Sequence, residues 1–369
     1  MRGDAVTLFL CGDVMLGRGV DQILPHPGDP ELRETYVRDA RAYVELAEAA
    51  NGPIPAPVDP SWPWGEALET LDAAAPAARV LNLETSVTRS GDFAPGKGVH
   101  YRMDPDNLPC LTAVRPDVCV LANNHVLDFG RTGLEETLDA LADAGVATAG
   151  AGRNAAAARR PATVPLGGDR RLLVFSLGMP SSGIPPGWAA TGDRAGVDVA
   201  AGASPAAAEA VAGRIRQIRR PGDVAVVSVH WGPNWGYRVP GDEVRFAHAL
   251  IDGGADVVHG HSSHHPRPLE AYRGGLVLYG CGDLVNDYEG ITGHERYRDD
   301  LRLLYLVRLY GDGRPPGVRM VPFQARRMRL RHAPDQDSRW LGAVLDRACR
   351  GLGTRVDREP DGTLVPRWP

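Results

Sequence analysis

The sequence predicts a layered α/β protein, and three observations carry that expectation. Short apolar runs recur at residues 6–10, 80–81, 118–121, 224–229 and 256–258, and continuous runs of this kind read as strands buried on both faces, beneath covering helices. Segments with helical periodicity lie between them, at residues 134–144 and 200–219. Every run also stops at a polar cluster, and ligands in open α/β sheets collect beyond the carboxyl ends of the strands. Five such clusters are therefore expected to converge on one site.

The first strand ends at Gly12-Asp13 within TLFLCGDVMLGRG. Residues 25–63 read as an insertion, with a helix over 31–50 followed by the stiff stretch Gly52-Pro53-Ile54-Pro55-Ala56-Pro57. Trp62-Pro63-Trp64-Gly65 opens a helix through Leu71, the tryptophans serving as core or as lid. Residues 80–81 lead into Asn82-Leu83-Glu84, and residues 118–121 into Ala122-Asn123-Asn124-His125. A helix over 134–144 is closed by Gly145, and an Ala-rich helix over 200–219 ends before Pro221. Residues 224–229 deliver His230-Trp231-Gly232, and residues 256–258 deliver His259, His261, His264 and His265. After Arg326 the pattern weakens to a helix over 334–350 and an extended tail over 351–369, so the main domain is placed at 1–331 and a C-terminal helix with its tail at 332–369.

Composition narrows the function. The 369 residues are 43% hydrophobic, enough for a sizeable core, and a net charge of -5 gives no basic footprint for nucleic acid. No run approaches the ~18 apolar residues of a membrane span. Met1-Arg2-Gly3-Asp4 leads straight into the first strand without the apolar core of a signal peptide. The five cysteines are odd in number and lack zinc-ribbon spacing, which fits a reducing, cytoplasmic setting.

A neutral imidazole is the commonest metal ligand, and a loop leaving a strand can aim several at one point. The mixture of carboxylate, amide and imidazole suits two divalent ions of Mn, Fe, Zn or Co, which together polarise a phosphoryl oxygen and supply a nucleophile. Glu84 can bridge the ions, and Asn124 can ligate one through its side-chain oxygen. His125 is then free as an acid or oxyanion stabiliser. Asp128 either orients His125 or caps the helix that follows. Arg18, Lys97, His100, Tyr101 and Arg102 suit an anionic substrate, small molecule or polymer, unless they are surface charge. Trp231, Trp235 and Tyr237 are expected as a wall over the site, and Asp283 as a group just behind it.

Order and spacing of these clusters resemble the calcineurin-like metallophosphoesterase superfamily. More closely, CGDVMLGR, NLETS, LANNHVLDFG, TAGAG, VSVHWG, GADVVHGHSSHHP and YGCGDLVND resemble the bacterial CapA family, which is tied to capsule and poly-γ-glutamate production. The resemblance spans about residues 5 to 330. It implies a four-layer α/β/β/α sandwich with Asp13, Glu84, Asn124, His230, His261 and His264 as metal ligands and His125 beside them. The chain departs from the superfamily pattern at Met15, where a histidine is usual, so one metal position is expected to be weak. Glu84 replaces the commoner Asp. In the final turn His261 and His264 are favoured over His259, still in the strand, and His265, which precedes Pro266. The expected function is a dinuclear-metal hydrolase acting on a phosphate-bearing substrate. The alternatives are a CapA-type role in synthesis or handling of poly-γ-glutamate or another amide-linked product, and a binding module with a vestigial site.

Overall fold

The computed structural model describes residues 5–369. The Met1 to Asp4 segment, on which the reading of the chain start rests, lies outside them. Strands Val6–Val14, Ala78–Leu83, Val118–Val120 and Ala147–Ala149 run parallel in that order. Leu301–Leu309 joins the free side of Val6–Val14 antiparallel, followed by Gly317–Ala325 and the hairpin of Leu364–Arg367 with Arg355–Arg358. A second sheet is ordered Leu269–Tyr272, Gly275–Leu278, Val257–His261, Val224–His230, Arg171–Gly178 and Ala162–Pro165, with its middle four strands parallel.

Strand periodicity divides the apolar side chains between two faces. Leu8, Leu10, Val80 and Val118 from the first sheet meet Val174, Val226, Val257 and Leu276 from the second in a shared core. The alternate residues Phe9, Cys11, Leu81 and Cys119 lie beneath the helices Arg41–Asn51, Ala67–Ala74 and Gly130–Asp143. On the far side, Phe175, Ala225 and Val227 lie beneath Pro205–Ile218 and Gly241–Asp252. The result is a four-layer α/β/β/α sandwich. A one-residue slip in any central strand would exchange its two faces, so the register that presents the strand-end polar groups is fixed by the core.

Several expectations shift. The insertion helix begins at Arg41, because residues 31–39 form an irregular loop closed by a Glu31–Asp39 bridge, with Asp39 accepting from the Arg41 amide at 2.9 Å. That loop drives Leu32 into the core. Trp64 is core, its indole donating to the Cys110 carbonyl at 2.7 Å. The final residues pair as a hairpin, with Leu364 opposite Met320. Leu341, Leu345 and Cys349 of the preceding helix Asp335–Cys349 join the core between the sheets. The boundary drawn at residue 331 therefore crosses one continuous core. Among the described residues no helix is long and apolar enough to cross a membrane.

Candidate metal centre

The parallel strands of both sheets deliver their carboxyl ends to one place. Gly12 lets the first of them close on its neighbour: a Cβ there would lie 1.9 Å from the Gly282 carbonyl oxygen. This approach pairs Val6–Val14 with Asp283–Val285 and sets Asp13 opposite Asp283. In the second sheet His230 and His261 are cross-strand partners, their Nδ1 atoms 2.7 Å apart. Ser262 then adopts a φ of 100°, a strained turn that carries the chain on to His264.

These groups form two donor sets with one member in common. Ligand atoms of Asp13, His230 and His261 lie within 4.8 Å of one another, and so do those of Asp13, His264 and Asp283. The surroundings fit a cation. Asp13 Oδ1 accepts from Asn82 Nδ2 at 2.7 Å, and the Asp13 carboxyl also shares a hydrogen bond with that of Glu84, an acid–acid contact that only a shared proton or a cation can hold. Burial, reinforced by Asp283, pushes the Asp13 carboxyl up to about 7. Burial, followed by Asp13 and Asp283, also raises Glu84 well above the usual carboxylate range. Converging buried carboxylates with too few donors are costly, and a metal ion resolves that cost. Burial meanwhile pushes His230 and His261 well below the usual imidazole range, which keeps them neutral as a ligand must be.

Outer partners aim the rings. His261 Nε2 lies 2.8 Å from Ser228 Oγ, and His264 Nε2 lies 3.0 Å from Asn234 Nδ2, so each Nδ1 faces inward. His230 Nε2 lies 2.8 Å from Asn124 Oδ1. The oxygen expected to bind metal thus orients an imidazole in this structure. Glu84 stands outside both donor sets, with Oε1 3.7 Å from His125 Nε2 and 3.8 Å from His230 Nε2. The shared position falls to Asp13.

His125 lies beside this cluster, with its Nε2 turned toward Glu84. Its Nδ1 donates to Asp128 Oδ2 at 2.7 Å, and Lys97 in turn donates to Asp128 Oδ1 and the Asn124 carbonyl. Burial lowers the imidazole to about 4. Tyr101 packs edge-on at 4.5 Å and donates its amide to Asp128 at 2.7 Å. Asp128 is no helix cap, since the Gly130–Asp143 helix starts from Phe129 without a side-chain cap.

Other expected substrate contacts are turned elsewhere. Arg18 is spent on Asp287 and Glu34, at 2.5 and 2.9 Å. His100 donates toward the Ala94 carbonyl at 3.1 Å and packs among Phe93 and Phe129. Arg102 reaches the backbone carbonyls of Ser90 and Asp29. Trp231 is fully buried, stacked on Tyr279 and bonded to its carbonyl at 3.0 Å, so it supports the strands from below. Trp235 forms the wall, its ring centre 5.3 Å from that of His264 and 4.0 Å from that of His294, while Tyr237 packs on His265. The two histidines set aside from the metals are consumed by other partners: His259 by the Cys11 carbonyl and Ser228, His265 by the Gly236 amide and the Pro266 carbonyl. Asp283, expected behind the site, lies in it. Its position after an apolar run in YGCGDLVND was the available signal.

Carboxylates and imidazoles thus gather at the strand ends of a four-layer α/β/β/α sandwich, the class of fold in which ligands collect beyond the strand ends. Within that class, residues 7–288 match the family described as "Bacterial capsule synthesis protein PGA_cap", and the chain belongs to it. It is 55% identical over 98% of its length to a "Probable polyglutamine synthesis accessory protein" of Mycobacterium tuberculosis strain H37Rv, covering 96% of that protein. It is 26% identical over 84% of its length to the PGA biosynthesis protein CapA of Bacillus subtilis strain 168, covering 70% of that protein. A crystal structure of a Thermus thermophilus protein aligns with 84% of this chain and 100% of its own, at 8% identity and a TM-score of 0.35, too distant to argue from.

Proposed function

We propose that this chain is a metal-dependent CapA-type protein that acts in making or handling a glutamyl, amide-linked polymer. The observation that carries the reading is the identity of 55% over 98% of the chain to a polyglutamine synthesis accessory protein, joined to the buried donor cluster at the strand ends. Asp13, His230, His261, His264 and Asp283 would hold the metal, which supplies Lewis-acid polarisation of a carbonyl or phosphoryl oxygen. The protein's own groups do the rest. Asp128, itself held by Lys97, fixes the His125 ring through Nδ1, which leaves Nε2 on the Glu84 side to give or take a proton at the substrate. Trp235 screens the His264 side from water. Five unpaired, buried cysteines support a reducing, cytoplasmic location.

Phosphoester hydrolysis is the second reading, favoured by the His125–Asp128 pair beside a multi-carboxylate centre. A turnover screen separates them. The metal-loaded protein is given poly-γ-glutamate, γ-glutamyl peptides with and without ATP, and simple phosphomonoesters and phosphodiesters. Change in the glutamyl substrates supports the first reading; turnover confined to phosphoesters replaces it with the second.

A further inference from the structure

The structure assigns a ligand subsite to the cavity beside Tyr288, where Arg302 and Asp299 take a unit that carries a carboxylate and an N–H on the same carbon, as each residue of a γ-linked glutamyl chain does. The glutamyl source of that unit rests on the function proposed above, whereas its chemistry rests on the cavity.

The cavity measures about 290 Å³, at the small end of ligand pockets. It lies between Asn51 at the end of the insertion helix, residues 288–291, and the paired strand ends at 299–302 and 324–326. Leu301–Leu309 runs antiparallel to Val6–Val14, so its start lies at the end of the sheet that carries Asp13. Tyr288 belongs to both places: it lines the cavity, and its ring centre is 5.2 Å from that of His264.

Arg302 is 1% exposed. Its Nη1 donates to the Asp299 carbonyl and its Nη2 to Asn286 Oδ1 at 2.8 Å, whereas Nε has no partner among the described residues. Asp283, Asp299 and Asp300 are near enough to feel the cation, but among the described residues none bonds it through a carboxylate. A buried charge in that state is costly, and a carboxylate in the adjoining cavity supplies what is missing. A water at Nε would satisfy the hydrogen bond without bringing the counter-charge. Two of the acids in the wall are already engaged. Glu289 accepts from Asn51 Nδ2 and the Arg327 amide at 2.7 Å and from the Met328 amide at 2.5 Å. Asp300 accepts from Arg298 Nε and Gln324 Nε2, both at 2.7 Å. Asp299 differs: beyond its own amide no group among the described residues donates to its carboxylate, which burial raises above the usual range. It is the acceptor left for an N–H.

A guanidinium beside such an acceptor selects the head group of an α-amino acid. In a γ-linked glutamyl residue the α-carbon bears both the free carboxylate and the amide nitrogen. In an α-linked residue the free carboxylate sits at the end of the side chain, away from the N–H. Ile291, 40% exposed in the cavity wall, offers an apolar surface to the methylenes between units.

The test is calorimetric binding to the full chain stripped of metal, so that the strand-end centre is not loaded. The probes are a γ-linked glutamyl trimer, free L-glutamate, a C-terminally amidated α-linked glutamyl trimer, and glutarate. The γ-linked trimer should bind. The amidated α-linked trimer, without a free α-carboxylate, and glutarate, without the nitrogen, should each bind at least ~10-fold more weakly. Glutamate as tight as the γ-linked trimer assigns the cavity to the free head group, and weaker glutamate assigns it to the chain. Arg302→Met should abolish binding, and Asp299→Ala, at a half-buried position, should weaken it at least ~10-fold, with circular dichroism confirming that each is folded. A wild type that ignores the γ-linked trimer, or binds it no better than the amidated α-linked trimer or glutarate, overturns the inference. So does unchanged affinity in folded Asp299→Ala. Turnover of glutamyl substrates by metal-loaded protein in either of those cases leaves the proposed function standing without this subsite. Selective binding here without any such turnover keeps the subsite and removes the function.

Discussion

Two clusters of buried charge flank the candidate metal centre and end in opposite ways. In the first, Arg18 is stacked between Tyr43 and Tyr101, with its guanidinium carbon 3.8 and 4.5 Å from the ring centres, and its nitrogens are taken by Asp287 and Glu34. Nothing of the cation is left to offer. In the second, Lys97 holds Asp128, which takes one nitrogen of His125 and leaves the other facing Glu84. Both clusters lie a few residues from a strand-end motif, and both join a cation to carboxylates. What separates them is the count of donors against acceptors. A guanidinium met by two carboxylates is a structural tie between the insertion and the rim, whereas an imidazole fixed through one nitrogen keeps the other open to a ligand.

Arg18→Met is the largest expected break in that comparison. It leaves Asp287 and Glu34 buried without their counter-charge, a change that costs about 3–5 kcal/mol when a buried pair loses one member. Urea unfolding should show that loss, while the protein that remains folded keeps its metal. Unchanged stability with weakened ligand binding would mean that Arg18 meets the substrate after all. His125→Ala should do the reverse, with unfolding little changed, metal kept, and turnover on the true substrate lowered by ~10²–10⁴-fold. Unaltered turnover removes His125 from the chemistry and makes the two clusters equivalent.

A smaller effect concerns the histidines that close on the protein. Burial holds His259 and His265 at about 4, below the ordinary imidazole value of 6.5. Unfolding therefore takes up protons between those limits, so their contribution to stability is complete above about pH 6.5 and is lost as pH falls toward about 4. Metal-free protein should melt progressively lower across that window. His265→Gln should flatten the slope, and a variant with wild-type slope would show that His265 carries none of it.

These contrasts show what the sequence could express. The layered fold was legible because buried parallel strands are uninterrupted apolar runs, and the strand ends of Asp13, Glu84, His125, His230 and His261 followed from it. The strand Arg171–Gly178, the helix Gly241–Asp252 and the pair Leu301–Leu309 with Gly317–Ala325 were not singled out, because no polar motif drew attention to them. The partners of Arg18, His100, Arg102 and Trp231 were not legible, for a shared reason. A charged or aromatic residue near a motif can point either way, and only the partner across the fold decides it: Asp287 lies 269 positions from Arg18. The same holds for Asp283, whose partnership with Asp13 is a fact of strand register.

The metal centre stands or falls most directly on what Asp13 binds. Anomalous X-ray scattering from crystals grown with Mn²⁺, collected on both sides of the manganese edge, locates the ion without reference to activity. Anomalous density is expected at a ligand distance of about 2.0–2.2 Å from Asp13, flanked by His264 and Asp283 or by His230 and His261. A well-ordered Asp13 with no anomalous density beside it, at Mn²⁺ concentrations that saturate calorimetric binding, would contradict a cation at this carboxylate.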